Sequence, residues 1–310
     1  MKRQVFVAII SFIAFFGNSL TVLLFIKKSK WLKKTYNCLI LALAIQDILQ
    51  AICILISPGY ILQKGDYTLP SGETSRWIFC KIFWSHFCIF TLGITSVYTC
   101  LMLTLDRWLA VAMPLFYKKY EQSRKVVFSA VLFPWIAGMC LNVTEPLSTM
   151  PIKVNGTFIC VWKTLEYLSE TIVLAISTFL CTIVIPGALM VIAYGWIVVH
   201  TKRSQTRVAV IPAKGSNALK SLKRITTTAF FASSIVIICW LPSQLYYALS
   251  YLRLTKGGST THFFLIYLAF LNSCFNPVIY CFSNRTYRNG LRDLFSCNGC
   301  HHSHPLASNF

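Results

Sequence analysis

The chain is 310 residues long, 56% apolar and 12% charged, with a mean hydropathy of +0.62. A disordered protein needs the opposite balance, and a soluble enzyme could not keep so much apolar surface from water. The net charge of +20, from 29 Lys and Arg against 9 Asp and Glu, would suggest nucleic acid in a soluble protein. In a membrane protein it suggests basic cytoplasmic loops, so the expected partner is the lipid bilayer and not nucleic acid.

Seven apolar runs are long enough to span: Val5–Ile26, Tyr36–Leu62, Ile78–Met113, Val126–Val143, Leu168–Val199, Ile225–Leu252 and His262–Phe282. At ~1.5 Å per residue the first is about 33 Å long, close to the ~30 Å hydrocarbon core. Open sheet edges are excluded in lipid, so the runs read as helices and the fold class as an all-α seven-helix membrane bundle. Pro58, Pro186, Pro242 and Pro277 fall inside these runs, where they are expected to kink helices.

Basic residues set the expected orientation. Nineteen Lys and Arg lie in the loops after the first, third and fifth runs and in the tail; nine lie on the opposite side. The excess predicts a multi-pass plasma-membrane protein with its N-terminus outside and its C-terminus inside. The first run is too long for a leader's apolar core and ends in a basic stretch, so a removed signal peptide is not expected. An internal repeat of the kind found in many transporters is not apparent. The expected organisation is a seven-helix domain over 1–283, an amphipathic membrane-surface helix over 284–296 and a short tail over 297–310. In that helix Tyr287, Leu291, Leu294 and Phe295 share one side, while Arg285, Arg288 and Arg292 share another.

Most of the 13 cysteines lie inside the runs, where a free thiol packs as a small apolar group. Cys80 and Cys160 fall on the outer, oxidising side, where a disulfide can form. Cys297 and Cys300 follow the amphipathic helix, as S-acylation sites or as unmodified thiols. Asn155-Gly156-Thr157, in the same outer loop as Cys160, reads as an N-glycan acceptor. Asn142-Val143-Thr144 is expected to lie too close to the bilayer, and Asn284-Arg285-Thr286 on the wrong side of it.

Asp47 sits in the middle of the second run. A carboxylate there costs ~2.5–3.5 kcal/mol on insertion scales, so it should face a polar cavity. Asn18, Ser96, Asn272, Ser273 and Asn276 lie at similar depth on other runs. Two readings are open: a hydrated Na⁺ site of Asp47, Ser96, Asn272, Ser273 and Asn276, or a neutral Asp held by helix-to-helix hydrogen bonds. Apart from that ion, no cofactor is expected.

Asp106-Arg107-Trp108 ends the third run, Cys239-Trp240-Leu241-Pro242 lies in the sixth, and Asn276-Pro277-Val278-Ile279-Tyr280 ends the seventh. With Gly17-Asn18, Leu41 to Asp47, Trp77 before Cys80, Pro114-Leu115, Trp135, and Pro186 with Tyr194, the chain resembles the rhodopsin-like G-protein-coupled receptors along nearly its whole length. The resemblance implies a receptor rather than an enzyme, with an extracellular ligand, peptide or small molecule, and a heterotrimeric G protein as partners. It implies an activation switch of Asp106, Arg107, Tyr194, Trp240, Pro242, Asn276, Pro277 and Tyr280, in which Arg107 leaves Asp106 for Tyr194 and Tyr280 as the sixth helix swings out. It implies a G-protein contact through Arg107, Pro114 and Leu115, although Leu115 could also pack back on the bundle. It implies a Cys80–Cys160 bridge.

Several positions depart from the family. Trp108 replaces the usual Tyr, and Leu222 stands where many members place an acid that locks Arg107, which implies raised basal activity. Cys80 precedes Arg107 by 27 residues, two more than usual, so a bulge or altered start to the third helix is expected. Only 17 residues precede Asn18; either the outer N-terminal tail is absent or Met1 is not the true start.

By family position, the ligand cleft is expected to use Ile89, Phe90, Gly93, Thr178, Thr182, Ser243, Gln244, Tyr247, His262 and Ile266. Ile89 stands where amine receptors carry an acid, and Phe270 where opsins carry their retinal lysine. Glu145, with Glu166 and Glu170, could receive a basic peptide or be solvated loop charge. The expected ligand is a neuropeptide, with a lipid or other small molecule as the alternative. A seven-span ion transporter would need several intramembrane acids, and only Asp47 sits at mid-depth. An intramembrane hydrolase would need clustered ligands, and His86, His200, His262, His301, His302 and His304 form no such pattern in a run.

Overall fold

The computed structural model describes residues 2–63, 66–121, 123–163, 168–208 and 216–296. Among these, seven helical stretches are long and apolar enough to cross a membrane. The first is α1 (Lys2–Lys27) and the second α2 (Thr35–Ile56). Sequence pattern places the second run's end at Leu62 with Pro58 as an internal kink; instead α2 stops at Ile56 and Pro58 lies beyond it. Pro58 forces its predecessor out of the helical region, and Ser57 is extended at ψ 138°.

The third run is likewise not one helix. It opens on the last residue of α3 (Glu73–Ile78) and holds a π-helical segment Phe79–Trp84, a break at Ser85–His86, and α4 (Phe87–Ala112). His86 is left-handed at φ 59°, which costs a non-glycine residue roughly 1–2 kcal/mol. Its Nε2 donates to the Pro58 carbonyl at 2.7 Å, and its ring packs on Tyr60 at 4.8 Å. Burial lowers the His86 pKa, with the Pro58 hydrogen bond opposing the shift. The wide π turn and the break take up the two additional residues between Cys80 and Arg107.

α4 is the axis of the bundle, packing against α2, α6 (Arg124–Leu141), α9 (Ile185–Val208) and α10 (Ser216–Tyr251). Short α5 (Pro114–Glu121) joins α4 to α6, and the one-turn α7 (Thr144–Leu147) follows α6. Then comes a hairpin of β1 (Thr149–Val154) and β2 (Thr157–Trp162), turning at Asn155-Gly156 with both residues at positive φ. That dipeptide suits a two-residue hairpin turn. A Cys80–Cys160 disulfide, with Cα atoms 5.5 Å apart, ties β2 to the π-helical segment.

The fifth span runs from α8 (Leu168–Phe179) through a π turn, Leu180–Val184, into α9. Pro186 has no N–H to offer Thr182, and the wider turn just before it accommodates the missing bond. α11 (Thr260–Ser283) is the seventh span, and α12 (Arg285–Phe295) follows. Asn284 caps α12 by accepting from the Thr286 and Tyr287 N–H groups, a cap worth ~1 kcal/mol. Tyr287 turns inward to share a hydrogen bond with Thr21 at 2.7 Å, and burial pushes its phenol up to about 12. Gly290 lets α12 lie on Leu24 and Trp31; a Cβ there would sit 2.8 Å from Leu24 Cδ1.

Candidate functional site

Three layers of polar residues are strung along α4. At the hairpin end, a cleft is lined by Phe90 and Ile94 of α4, Asn142, Thr144 and Glu145 beyond α6, Leu174, Ala175 and Thr178 of α8, Thr182 of the π turn, Ser243, Gln244, Tyr247 and Tyr251 of α10, and His262 and Ile266 of α11. Of the expected ligand residues, Phe90, Glu145, Thr178, Thr182, Ser243, Gln244, Tyr247, His262 and Ile266 meet here.

Ile89 and Gly93 do not line this cleft. Ile89 is fully buried in an apolar cluster with Ile54, Tyr60 and Phe270. Gly93 is the seat of Trp240, since a Cβ there would lie 2.0 Å from the indole ring. Glu170 is exposed and off the cleft, and Glu166 lies outside the described residues. Sequence reasoning missed Asn142, Thr144 and Tyr251. Asn142 donates to the Phe87 carbonyl and to Thr91 Oγ1, both at 3.0 Å. Its Asn-X-Thr setting drew attention to glycosylation rather than packing.

Glu145 accepts a short hydrogen bond from Tyr247, whose hydroxyl also bonds Tyr251 at 2.8 Å. The expected basic-peptide acid is thus built into the cleft wall rather than spread over loops.

The middle layer centres on Asp47, which is fully buried. Ser273 Oγ donates to one carboxylate oxygen and Asn276 Nδ2 to the other, each at 2.7 Å. Asn18 Nδ2 donates to the Ser273 carbonyl at 2.9 Å. The described residues give Asp47 no cationic partner. Ser96 Oγ and both side-chain polar atoms of Asn272 are buried without a protein hydrogen bond. A carboxylate, a hydroxyl and an amide oxygen are donor types that a hard cation takes, so the chemistry of these residues fits Na⁺. Above this layer Trp240 packs edge-to-face with Phe90 at 6.5 Å, two residues before Pro242.

The third layer lies at the α12 end. Arg107 is buried and donates to Asp106 through Nε at 2.9 Å and again through Nη2. Nη2 also donates to Tyr117 Oη at 2.8 Å, and the guanidinium lies 4.8 Å over the Tyr36 ring. The Tyr117 hydroxyl lies 3.2 Å from Asp106 Oδ1 and 3.3 Å from Glu121 Oε1, so its one proton has two alternative acceptors, and burial raises the phenol's pKa.

Tyr194 and Tyr280 are buried in the core and make no bond to Arg107. Tyr194 accepts from Thr104 at 3.3 Å, while the Tyr280 hydroxyl has no protein partner. Pro277 packs on Gly17. Pro114 and Leu115 open α5, and Leu115 is 85% exposed, which removes the reading in which it packs back on the bundle. The Leu222 side chain, Cys297 and Cys300 lie outside the described residues.

One helix therefore lines a cleft at one end and carries a buried ion pair at the other. The chain belongs to the rhodopsin family of seven-transmembrane receptors, whose model matches residues 17–280, and is a multi-pass membrane protein. It is 25% identical to the allatostatin-A receptor of Bombyx mori over 94% of this chain and 79% of that one. It is 24% identical to galanin receptor 2a of Danio rerio, over 91% and 74%. It is 26% identical to the histamine H2 receptor of Rattus norvegicus, over 94% and 79%.

Proposed function

We propose that this chain is a plasma-membrane receptor that binds an extracellular neuropeptide and activates heterotrimeric G proteins. The observation that carries the reading is the Arg107 latch: a buried guanidinium held by Asp106 and Tyr117 at the end of the same helix that lines the cleft. Such a group can exchange partners when the bundle opens, and a ligand that favours the open bundle drives the exchange. The hairpin end faces outward and the α12 end inward, in line with the distribution of Lys and Arg. Na⁺ at Asp47 favours the closed state. Asn155, at the exposed hairpin tip, carries a glycan, and Cys297 and Cys300 are acylated.

The peptide lean rests on relatives named for allatostatin-A and galanin, and on a Drosophila melanogaster receptor named for tachykinin-like peptides. The histamine receptor match supports a second reading, a small-molecule ligand. Cells expressing the chain with a co-expressed G protein should show nucleotide exchange when treated with a fractionated peptide extract. Exchange driven only by peptidase-resistant small molecules selects the second reading. Exchange by neither, with the chain at the surface, removes the receptor reading.

A further inference from the structure

Among the described residues, Glu145 is the one acid lining the cleft. It sits on α7, a single turn beyond the fourth span, and is aimed at the bundle by its hydrogen bond from Tyr247. Tyr247 is in turn held by Tyr251, so the carboxylate is anchored through two phenols on α10. Phenols are neutral donors: they orient a carboxylate without cancelling its charge. No described lysine, arginine or histidine forms an ion pair with it.

The neighbouring basic groups are occupied elsewhere. Lys81 donates to the Pro146 carbonyl at 2.7 Å and lies 5.3 Å from the Trp77 ring. His262 accepts through Nδ1 from the Gly258 N–H at 2.9 Å. A partly buried carboxylate with one oriented oxygen and no counter-charge is an incomplete electrostatic unit, because burial is tolerated when a cation completes it.

We propose that Glu145, held by Tyr247 and Tyr251, is a recognition subsite for an organic cation, an ammonium or guanidinium carried on an apolar or aromatic stem. This rests on the receptor reading and names the chemistry of its ligand. Tyr247 donates to Glu145 Oε1, and among the described residues the other oxygen takes no hydrogen bond. The stem runs between Phe90 and the α8 wall, with Thr178 and Gln244 as further hydrogen-bond groups. The acid that amine receptors carry in the third span is Ile89 here and is sealed in a different cluster, so the counter-charge comes from the opposite wall. A peptide would supply the cation from Lys, Arg or its N-terminus; a small molecule would be an amine.

The full chain in lipid nanodiscs can be tested without its natural ligand, using 2-phenylethylammonium, 2-phenylethylguanidinium and the neutral isostere 2-phenylethanol. Binding is read as the shift in thermal unfolding midpoint with probe concentration. Both cations should bind wild type at least about tenfold more tightly than the alcohol. Glu145→Gln should bring the three probes level, while Glu145→Asp should keep a preference for the cations. Tighter guanidinium binding points to an arginine side chain as the source, and tighter ammonium binding to a lysine or amine.

Equal binding of cations and alcohol by wild type overturns the proposal, whether or not any variant folds. So does a cation preference that survives in Glu145→Gln. G-protein nucleotide exchange is measured separately: exchange without cation preference removes the subsite and keeps the receptor, and cation preference without exchange does the reverse.

Discussion

Tyr117 of the short helix α5 hydrogen-bonds Arg107 of α4 at 2.8 Å, and its own proton reaches Asp106 at 3.2 Å. One phenol thus bridges both members of the ion pair. Where many relatives of this architecture are expected to lock the arginine from the sixth span, Leu222 offers no charge, and the guanidinium is instead bonded from α5. Tyr117→Phe keeps the ring and removes the bridge. One such bond is worth ~1–2 kcal/mol, so ligand-free nucleotide exchange per surface receptor should rise roughly 5- to 30-fold. Unchanged or lower exchange would show that Tyr117 is a bystander.

The buried, unpartnered Ser96 and Asn272 atoms, and a buried carboxylate to which the described residues give no cationic partner, make the ion prediction specific. Replacing N-methylglucamine by Na⁺ should raise the thermal midpoint of the ligand-free chain and lower basal exchange. Agonist affinity should fall as Na⁺ rises. Asp47→Asn should remove all three responses, because an amide cannot supply the charge that selects a cation over water. A wild-type protein that behaves identically in both salts would contradict the site.

Gly93 and Trp240 interlock so closely that a methyl group at position 93 would lie 2.0 Å from the indole. Gly93→Ala should therefore destabilise the bundle by about 1–3 kcal/mol through overpacking. Adding Trp240→Phe, which frees that volume, should recover part of the loss in thermal midpoint. If the double variant is as unstable as the sum of the singles, the two residues are not coupled.

Much of the fold was legible because lipid imposes a length and a hydropathy on each span. The amphipathic helix after Asn284 was legible for the same reason, its two faces being written in Tyr287, Leu291 and the three arginines. Hydropathy carries no information about backbone direction, however. It runs smoothly through Ser57-Pro58 and Ser85-His86, where α2 stops and α4 begins. The count between Cys80 and Arg107 was the one clue to the second break. The β1–β2 hairpin was read only as a loop, although Asn155-Gly156 is a turn signal. The lining of the cleft was legible for Phe90, Thr178, Thr182 and the expected residues of α10 and α11. It failed at Ile89 and Gly93, because facing depends on helix rotation and on what large ring fills the neighbouring space. Tyr117 was invisible, since nothing local says that α5 folds back under α4.

Burial divides the two sequons expected on the outer side. Asn155 is exposed at a hairpin tip, while Asn142 is buried and donates two hydrogen bonds. Asn155→Gln should abolish the glycosidase-sensitive gel shift of surface receptor. Asn142→Gln, if it reaches the surface, should retain that shift; loss of it there alone would mean that the turn after α6 unfolds before the hairpin is modified.

Arg107 and Leu115 should be required for output and not for ligand binding. Arg107 can trade its bonds to Asp106 and Tyr117 for the two phenols of Tyr194 and Tyr280, the second of which is buried without a protein partner. Leu115 is 85% exposed at the start of α5, with Phe116 beside it at 56%. Two large, mostly exposed apolar side chains at the α12 end, beside Lys118 and Lys119, suit insertion into a partner. Arg107→Ala and Leu115→Asp should each abolish G-protein activation, with ligand affinity held within about tenfold, or ~1.4 kcal/mol. Leu115→Asp should also leave thermal stability unchanged, since the side chain is already in solvent. A Leu115→Asp protein that fails to reach the surface would make the residue structural. Normal signalling by both variants would mean that the signal leaves the bundle by another face.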